Sequence, residues 1–183
     1  TALASAPAVQ RAITRVVSVA RSPRQLVGLT AFIAIGLALL NWSLGLIGGA
    51  LVAREAGAVV RRRGWTLHYP LLCAAGYSGL MTWHGGFSGS APLKVTTEAD
   101  LVEVLGAELA AQVGVLGLDA TLLSPLNLFV SGGLLVLGPL VFMGLTPRGS
   151  EEPDAMPAPE WTESEPEVVV DTSDGWVQRL ERS

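Results

Sequence analysis

The sequence predicts an all-α membrane protein built around a re-entrant hairpin and a broken transmembrane helix. Three observations predict it. Of 183 residues, 50% are hydrophobic and 15% charged, against about 25% charged in an ordinary soluble domain, and the mean hydropathy is +0.46. Three stretches, residues 25–53, 64–93 and 120–147, hold no Asp, Glu, Lys or Arg. Each exceeds the roughly 20 residues a helix needs to cross a bilayer. The charges are also segregated: residues 1–63 carry eight Arg against one Glu, and residues 149–175 carry nine acids and no base. The net charge of −4 conceals that split. Such a chain cannot present the surface of a soluble enzyme, a disulfide-stapled module or a nucleic-acid binder.

The lone Cys73 cannot form an internal disulfide, and one Cys with two His is too few ligands for a zinc site. No basic n-region, short apolar core and small-residue cleavage site open the chain, so a signal peptide is not supported. The chain starts on Thr rather than Met and stops as a new amphipathic segment begins. Both ends therefore read as cut, and the expectation is a fragment of a longer polytopic chain.

Residues 1–21 hold an interfacial amphipathic helix, with Arg11, Arg15 and Ser18 on one face and Val9, Ile13, Val16, Val17 and Ala20 opposite. Residues 22–63 form the hairpin. Ser22, Pro23 and Gln25 make a capping-box start, and the break-prone centre runs Asn41-Trp42-Ser43-Leu44-Gly45. Arg21 and Arg24 precede the segment, and Arg54 and Arg61–Arg63 follow it. Arginines flanking membrane helices prefer the cytoplasmic side, so clusters at both ends put both ends on one side. Two arms of about 13 residues reach only about 20 Å each, which places the tip inside the membrane. A single long, tilted helix is the alternative.

Residues 64–95 read as a broken transmembrane helix that starts near Pro70 and continues through Cys73, Tyr77 and Met81 to Trp83. It then meets His84-Gly85-Gly86-Phe87-Ser88-Gly89-Ser90, with three Gly and two Ser in seven residues. Irregular backbone at membrane depth is tolerated only where protein buries it or it lines a cavity. An external loop is the plainer reading. Residues 96–124 make an acidic amphipathic segment for the outer side, with Thr97 and Asp100 as caps and Leu101, Val104, Leu105 and Leu109 as its apolar face. Ser124-Pro125 starts a transmembrane helix over residues 125–148, with Gly132, Gly133 and Gly138-Pro139 suited to close packing and a bend. Residues 149–183 are an acidic cytoplasmic connector and the start of a further helix.

The motifs carry little catalytic promise. Gly86-Phe87-Ser88-Gly89-Ser90 fails the Gly-x-Ser-x-Gly nucleophile elbow at its fifth place, and no Gly-Lys-Ser/Thr phosphate loop occurs. What remains is polar backbone and side chains at depth: Asn41, Trp42, Ser43, Gly45, Thr82, Trp83, His84, Gly85, Gly86, Ser88, Gly89 and Ser90. Half-helix N-termini offer N–H groups to an anionic substrate and free carbonyls hold a cation. These residues are the candidate substrate or ion site. Trp42 and Trp83 either shape that pocket or pack helices. His84 is either a proton carrier or an ordinary packing residue, and His68 is a boundary residue. Neither a cofactor nor a structural metal is expected.

Asn41-Trp42-Ser43-Leu44-Gly45-Leu46 with Gly49 and Ala53-Arg54-Glu55, then Tyr77-Ser78-Gly79-Leu80 and Trp83-His84-Gly85-Gly86-Phe87-Ser88-Gly89-Ser90-Ala91-Pro92-Leu93, resemble the bacterial short-chain fatty acid transporter family. The resemblance covers residues 2–147 and, in layout, the acidic connector. It implies a polytopic helical transporter of the ion transporter superfamily, with two inverted repeats, of which this chain resembles part of the N-terminal half. It implies uptake of carboxylates such as acetoacetate and butyrate across the inner membrane by symport with Na+ or H+. It also places Asn41 in the first re-entrant hairpin and Trp83–Ser90 in the broken helix. The implied partners are the short-chain carboxylate, membrane lipid and the second half of the same protein, with a homo-oligomer left open. The alternative is a non-transporting membrane partner or assembly subunit.

Overall fold

The computed structural model describes residues 7–147, and the regular structure among them is helical. The first helix, α1 (Pro7–Ser18), is docked against the far arm of the hairpin. Thr14 donates a hydrogen bond to the Glu55 carboxylate at 3.1 Å. The Arg63 guanidinium donates to the carbonyls of Ser18 and Ala20, so a cation sits against the negative end of the helix. Val17 is fully buried beneath it.

Helix α2 (Pro23–Leu40) starts as the sequence predicts: the Ser22 hydroxyl accepts from the Gln25 N–H, and Pro23 occupies the first turn. It ends at Asn41, whose extended backbone (φ −158°, ψ 132°) separates it from α3 (Trp42–Arg62). The two pack antiparallel, with Gly45 against Ala38 and Gly49 against Ala34. Both ends of the hairpin therefore return to the arginine-rich end, here termed the base. The arms are longer than expected. At 18 and 21 residues they run about 27 and 31 Å. The expected length stopped at the first arginine, whereas α3 continues through Arg54 and Glu55 to Arg62 because arginine is a good helix former whose head can snorkel outward. Arg62 pairs with Glu55 at 2.9 Å along that extension.

After a turn that returns Trp65 N–H to the Val60 carbonyl, α4 (Tyr69–Tyr77) climbs beside the hairpin. The closest approach is backbone to backbone. A Cβ at Gly49 would run into the Gly76 carbonyl, and one at Gly76 would lie 2.7 Å from the Gly49 oxygen. Only glycine permits that contact at either site. The helix loosens earlier than the sequence suggested, at Ser78 rather than after Trp83, and becomes tight 3₁₀ turns at Ser78–Met81 and Trp83–Gly85. The Ser78 and Thr82 hydroxyls donate to the Ala75 and Gly79 carbonyls at 2.7 and 3.1 Å. Such local bonds compete with the α-helical ladder.

Short helices α5 (Ser90–Lys94), α6 (Glu98–Leu105) and α7 (Ala107–Val113) come next. Thr97 caps α6 as expected, accepting from the Asp100 N–H. The expected continuous apolar face does not form. Gly106 takes φ +78° between α6 and α7, a left-handed conformation that ends a helix, so Leu101 is buried while Val104 and Leu109 face outward. Lys94 bridges Asp100 and Glu103 at 3.0 and 2.7 Å. The Thr97 hydroxyl and Lys94 hold the Asp100 carboxyl below its usual range, and Glu103 and Asp100 push the Lys94 ammonium up.

Helix α8 (Pro125–Leu145) opens on the predicted Ser124 cap and returns antiparallel to α2. Leu135 lies beside Gly36 and Met143 beside Gly28. At the base, the Arg24 Nε donates to the Met143 carbonyl at 3.0 Å. Among the described residues three helices, α2, α3 and α8, are long and apolar enough to cross a membrane. The acidic connector lies outside the described residues.

Candidate functional site

The end of the bundle opposite the arginines brings together three things: the hairpin turn, the unwound stretch after α4, and the first turns of α8. The turn is built by one residue. The Asn41 N–H donates to the Leu37 carbonyl and closes α2, while the Asn41 side-chain oxygen accepts from the N–H groups of Ser43 (2.9 Å) and Leu44 (3.3 Å) and opens α3. Asparagine suits both duties because its short amide reaches its own downstream backbone.

The remaining first-turn donor of α3 is the Trp42 N–H, and its acceptor comes from 46 residues away: the Ser88 hydroxyl at 2.8 Å. One residue earlier, the Phe87 N–H donates to the Leu39 carbonyl at 2.8 Å. Gly86 lies directly on the Leu39 backbone. The two backbone breaks thus supply each other's hydrogen-bond partners. Trp42 and Trp83 stand 6.5 Å apart between ring centroids, and His84 stacks on Trp83 at 3.8 Å.

Of the sequence-predicted residues, Trp42 therefore meets Trp83 and Ser88, with His84 stacked on Trp83, Gly86 lies on Leu39, and Asn41 and Ser43 reach the groove on the other face of the hairpin. The other sequence-predicted residues have different surroundings. Gly45 is buried against Ala38, and Thr82 is buried with its hydroxyl bonded to the Gly79 carbonyl. Gly89 packs on the His84 carbonyl, and Ser90 is exposed at the start of α5. Two expectations need correction. The α3 N-terminus does not present free N–H groups, because Asn41 and Ser88 already occupy the first three. Nor is the junction at the middle of the bundle: Gly85 is bonded to Asn127, the third residue of the 21-residue α8. The arms run the length of α8, so the turn lies at its far end.

Asn127 and Ser131 are the functional candidates that sequence reasoning missed. The Asn127 amide donates to the carbonyls of Gly85 (2.9 Å) and Leu122 (2.7 Å), and the Ser131 hydroxyl donates to the Asn127 side-chain oxygen at 3.3 Å. This clamp holds α8 to the unwound stretch. The signal was present: they are the polar side chains of an otherwise apolar helix, spaced by one turn.

Beside the clamp lies a cavity of about 230 Å³, walled by Leu39, Phe87, Leu122 and Leu128 with Asn127 and Ser131. A larger groove of about 770 Å³ runs between α1 and the other face of the hairpin, apolar except where Asn41 and Ser43 reach it. No group of three or more metal-ligating side chains occurs among the described residues.

Span-length apolar helices, a tight helical hairpin and a helix unwound beside it together define a helical membrane protein. The chain belongs to the short-chain fatty acid transporter family, whose model matches residues 1–168. It is 37% identical over 150 residues to an Escherichia coli (strain K12) protein named as a candidate short-chain fatty acid transporter, covering 82% of this chain and 32% of that protein. A protein named in the same way from Haemophilus influenzae (strain ATCC 51907 / DSM 11121 / KW20 / Rd) is 34% identical over 150 residues, covering 82% and 33%. The chain spans about a third of the length of both relatives. No solved structure matches.

Proposed function

We propose that this chain supplies part of the substrate path of a secondary transporter that takes up short-chain carboxylates such as acetoacetate and butyrate. The protein would be a multi-pass protein of the bacterial inner membrane, with uptake driven by Na+ or H+ symport. The further helices of the site would come from the rest of the protein. The observation that carries the reading is the junction itself. Two helix breaks 46 residues apart are joined through the Trp42–Ser88 contact, next to a small apolar cavity with a polar edge.

In this arrangement Ser88 stands where a substrate carboxylate would bind. A carboxylate oxygen is a stronger acceptor than a neutral hydroxyl, and it would take over the Trp42 N–H at the positive end of α3. Substrate arrival then separates the unwound stretch from the hairpin turn. Opening on one side and closing behind the substrate is the motion that alternating access requires.

Uptake of labelled butyrate and acetoacetate by vesicles holding the full-length protein of which this chain is part, with and without a Na+ or H+ gradient, tests this. Saturable, gradient-dependent uptake is expected. Normal assembly with no uptake of either acid would refute it and favour the non-transporting subunit.

A further inference from the structure

Arg54 is a charge that the described fold leaves unmatched. It sits within α3, a helix apolar enough to cross a membrane, about two turns before that helix ends at Arg62. It is exposed, and it makes no hydrogen bond or ion pair among the described residues. Its neighbour Glu55 is matched by Thr14 and Arg62. Helix rise gives its depth: Arg54 lies about 18 Å from Trp42 at the hairpin turn, whereas Arg24, bonded to the Met143 carbonyl at the base, lies about 25 Å from Asn41. The Arg54 backbone is thus about 7 Å inside the level of the base. From that depth an arginine head snorkels to the lipid headgroups.

The large apolar groove between α1 and the hairpin runs up to Arg54. Ile47 and Leu51 line that groove, and Arg54 follows them at i+7 and i+3, on the same stripe of α3. On the other side, α1 turns Val9, Ala12, Ile13 and Val16 into the groove and leaves Arg11 and Arg15 exposed. The groove opens toward the membrane, where Ile47 is 56% exposed. An occupant that suits it is apolar along its length, anionic at one end and supplied from the lipid side. We infer that the groove holds an acyl chain of an anionic phospholipid whose phosphate pairs with Arg54. A guanidinium presents a planar fork of donors that matches phosphate oxygens. The surrounding charge has the right sign, since residues 1–63 carry eight Arg against one Glu, and such basic segments attract anionic lipid.

The experiment titrates the full-length protein in detergent with phosphatidylglycerol and with phosphatidylethanolamine, which share the phosphate and differ in net charge. Bound lipid is read by native mass spectrometry. The wild type should hold phosphatidylglycerol several-fold more tightly than phosphatidylethanolamine. Arg54→Gln removes no bond among the described residues and should weaken phosphatidylglycerol about fivefold, the factor for one arginine at a lipid surface. Arg21→Gln, at an exposed base position outside the groove lining, should leave it unchanged. Ile47→Trp fills the groove and should lower the binding of both lipids, which keeps the test decisive if Arg54→Gln fails to fold. Equal affinity for the two lipids, or a preference that Arg54→Gln leaves intact, overturns the site. Unchanged lipid binding with butyrate uptake lost in Arg54→Gln overturns it too and moves Arg54 to the substrate path. No bound lipid in the wild type, with Ile47→Trp unfolding the protein, overturns it by assigning the groove to another helix of the same protein.

Discussion

Helices α2 and α8 lie side by side, and both are apolar enough to cross a membrane, yet they are used differently. Mean hydropathy is 1.6 for the α2 window and 2.2 for that of α8, while 44% of the first and 11% of the second are buried. The more apolar helix is the less buried. The packed face of α2 carries several small residues. The buried face of α2 is built from Gly28, Thr30, Ala31, Ala34 and Ala38 between larger residues, which lets α3, α4 and α8 approach closely. By contrast, α8 turns Leu126 and Phe129 outward, 73% and 81% exposed. In lipid, apolarity does not drive helices together; close van der Waals contact does. Hydropathy thus places a helix in the membrane, and on α2 the small residues let the other helices of this chain pack closely.

The largest expected effect breaks that comparison at its tightest point. Gly49→Ala puts a methyl into the Gly76 carbonyl and should destabilise the full chain by about 1–3 kcal/mol, as overpacking does. Gly144→Ala on α8 meets nothing within 4 Å and should be neutral or stabilising by up to about 1 kcal/mol. Thermal unfolding of the two purified variants in detergent measures the contrast. Equal shifts would contradict it.

The polar junction separates more finely. Asn127→Ala leaves the Gly85 and Leu122 carbonyls without the amide, at about 1–3 kcal/mol for a buried unsatisfied group, and should cut uptake more than tenfold. Asn41→Ala removes the oxygen shared by Ser43 and Leu44, an N-cap loss of about 0.5–2 kcal/mol. Ser88→Ala removes one acceptor and should be the mildest for stability. Both should still lower uptake about tenfold, equivalent to about 1.4 kcal/mol, at normal membrane levels. Normal uptake by both would remove them from the substrate path.

The smallest effect lies outside the spans. The Asp100 carboxyl is held down by Thr97 and Lys94, so its contribution to α6 is present above the unfolded value of about 3.9 and is lost as pH falls through the lowered folded value. Amide exchange in α6 should quicken as pH drops below about 4, after correction for intrinsic rates. Asp100→Asn should abolish that pH dependence.

Much of this architecture was legible in the sequence because its signals are local. Ser22-Pro23, Thr97 and Ser124-Pro125 mark helix starts that the structure shows capped, and the double arginine clusters gave the hairpin its return. The meeting of the hairpin turn with the stretch around Ser88 was expected at mid-membrane and is found, through Trp42, at the end of the bundle. Partner identities could not be expected, because they are long-range. Nothing near Ser88 announces that it accepts from Trp42, and nothing near Asn127 announces Gly85. The early unwinding at Ser78 was missed because its hydroxyl bond to Ala75 competes with a ladder that the apolar pattern otherwise supports. Arm length was missed because an arginine was read as a helix end.

The central claim is that the hairpin turn and the unwound stretch form one closed contact that substrate opens. With the Trp42 nitrogen 2.8 Å from the Ser88 oxygen, the two Cα atoms lie within about 7 Å, near the upper limit for a disulfide. Trp42→Cys and Ser88→Cys are combined in the full chain, with Cys73 replaced by Ser, and the rate of disulfide formation under mild oxidation is followed with and without butyrate. The account predicts rapid cross-linking of the resting protein and a several-fold slower rate when butyrate saturates. No cross-link, or a rate indifferent to butyrate, would contradict it.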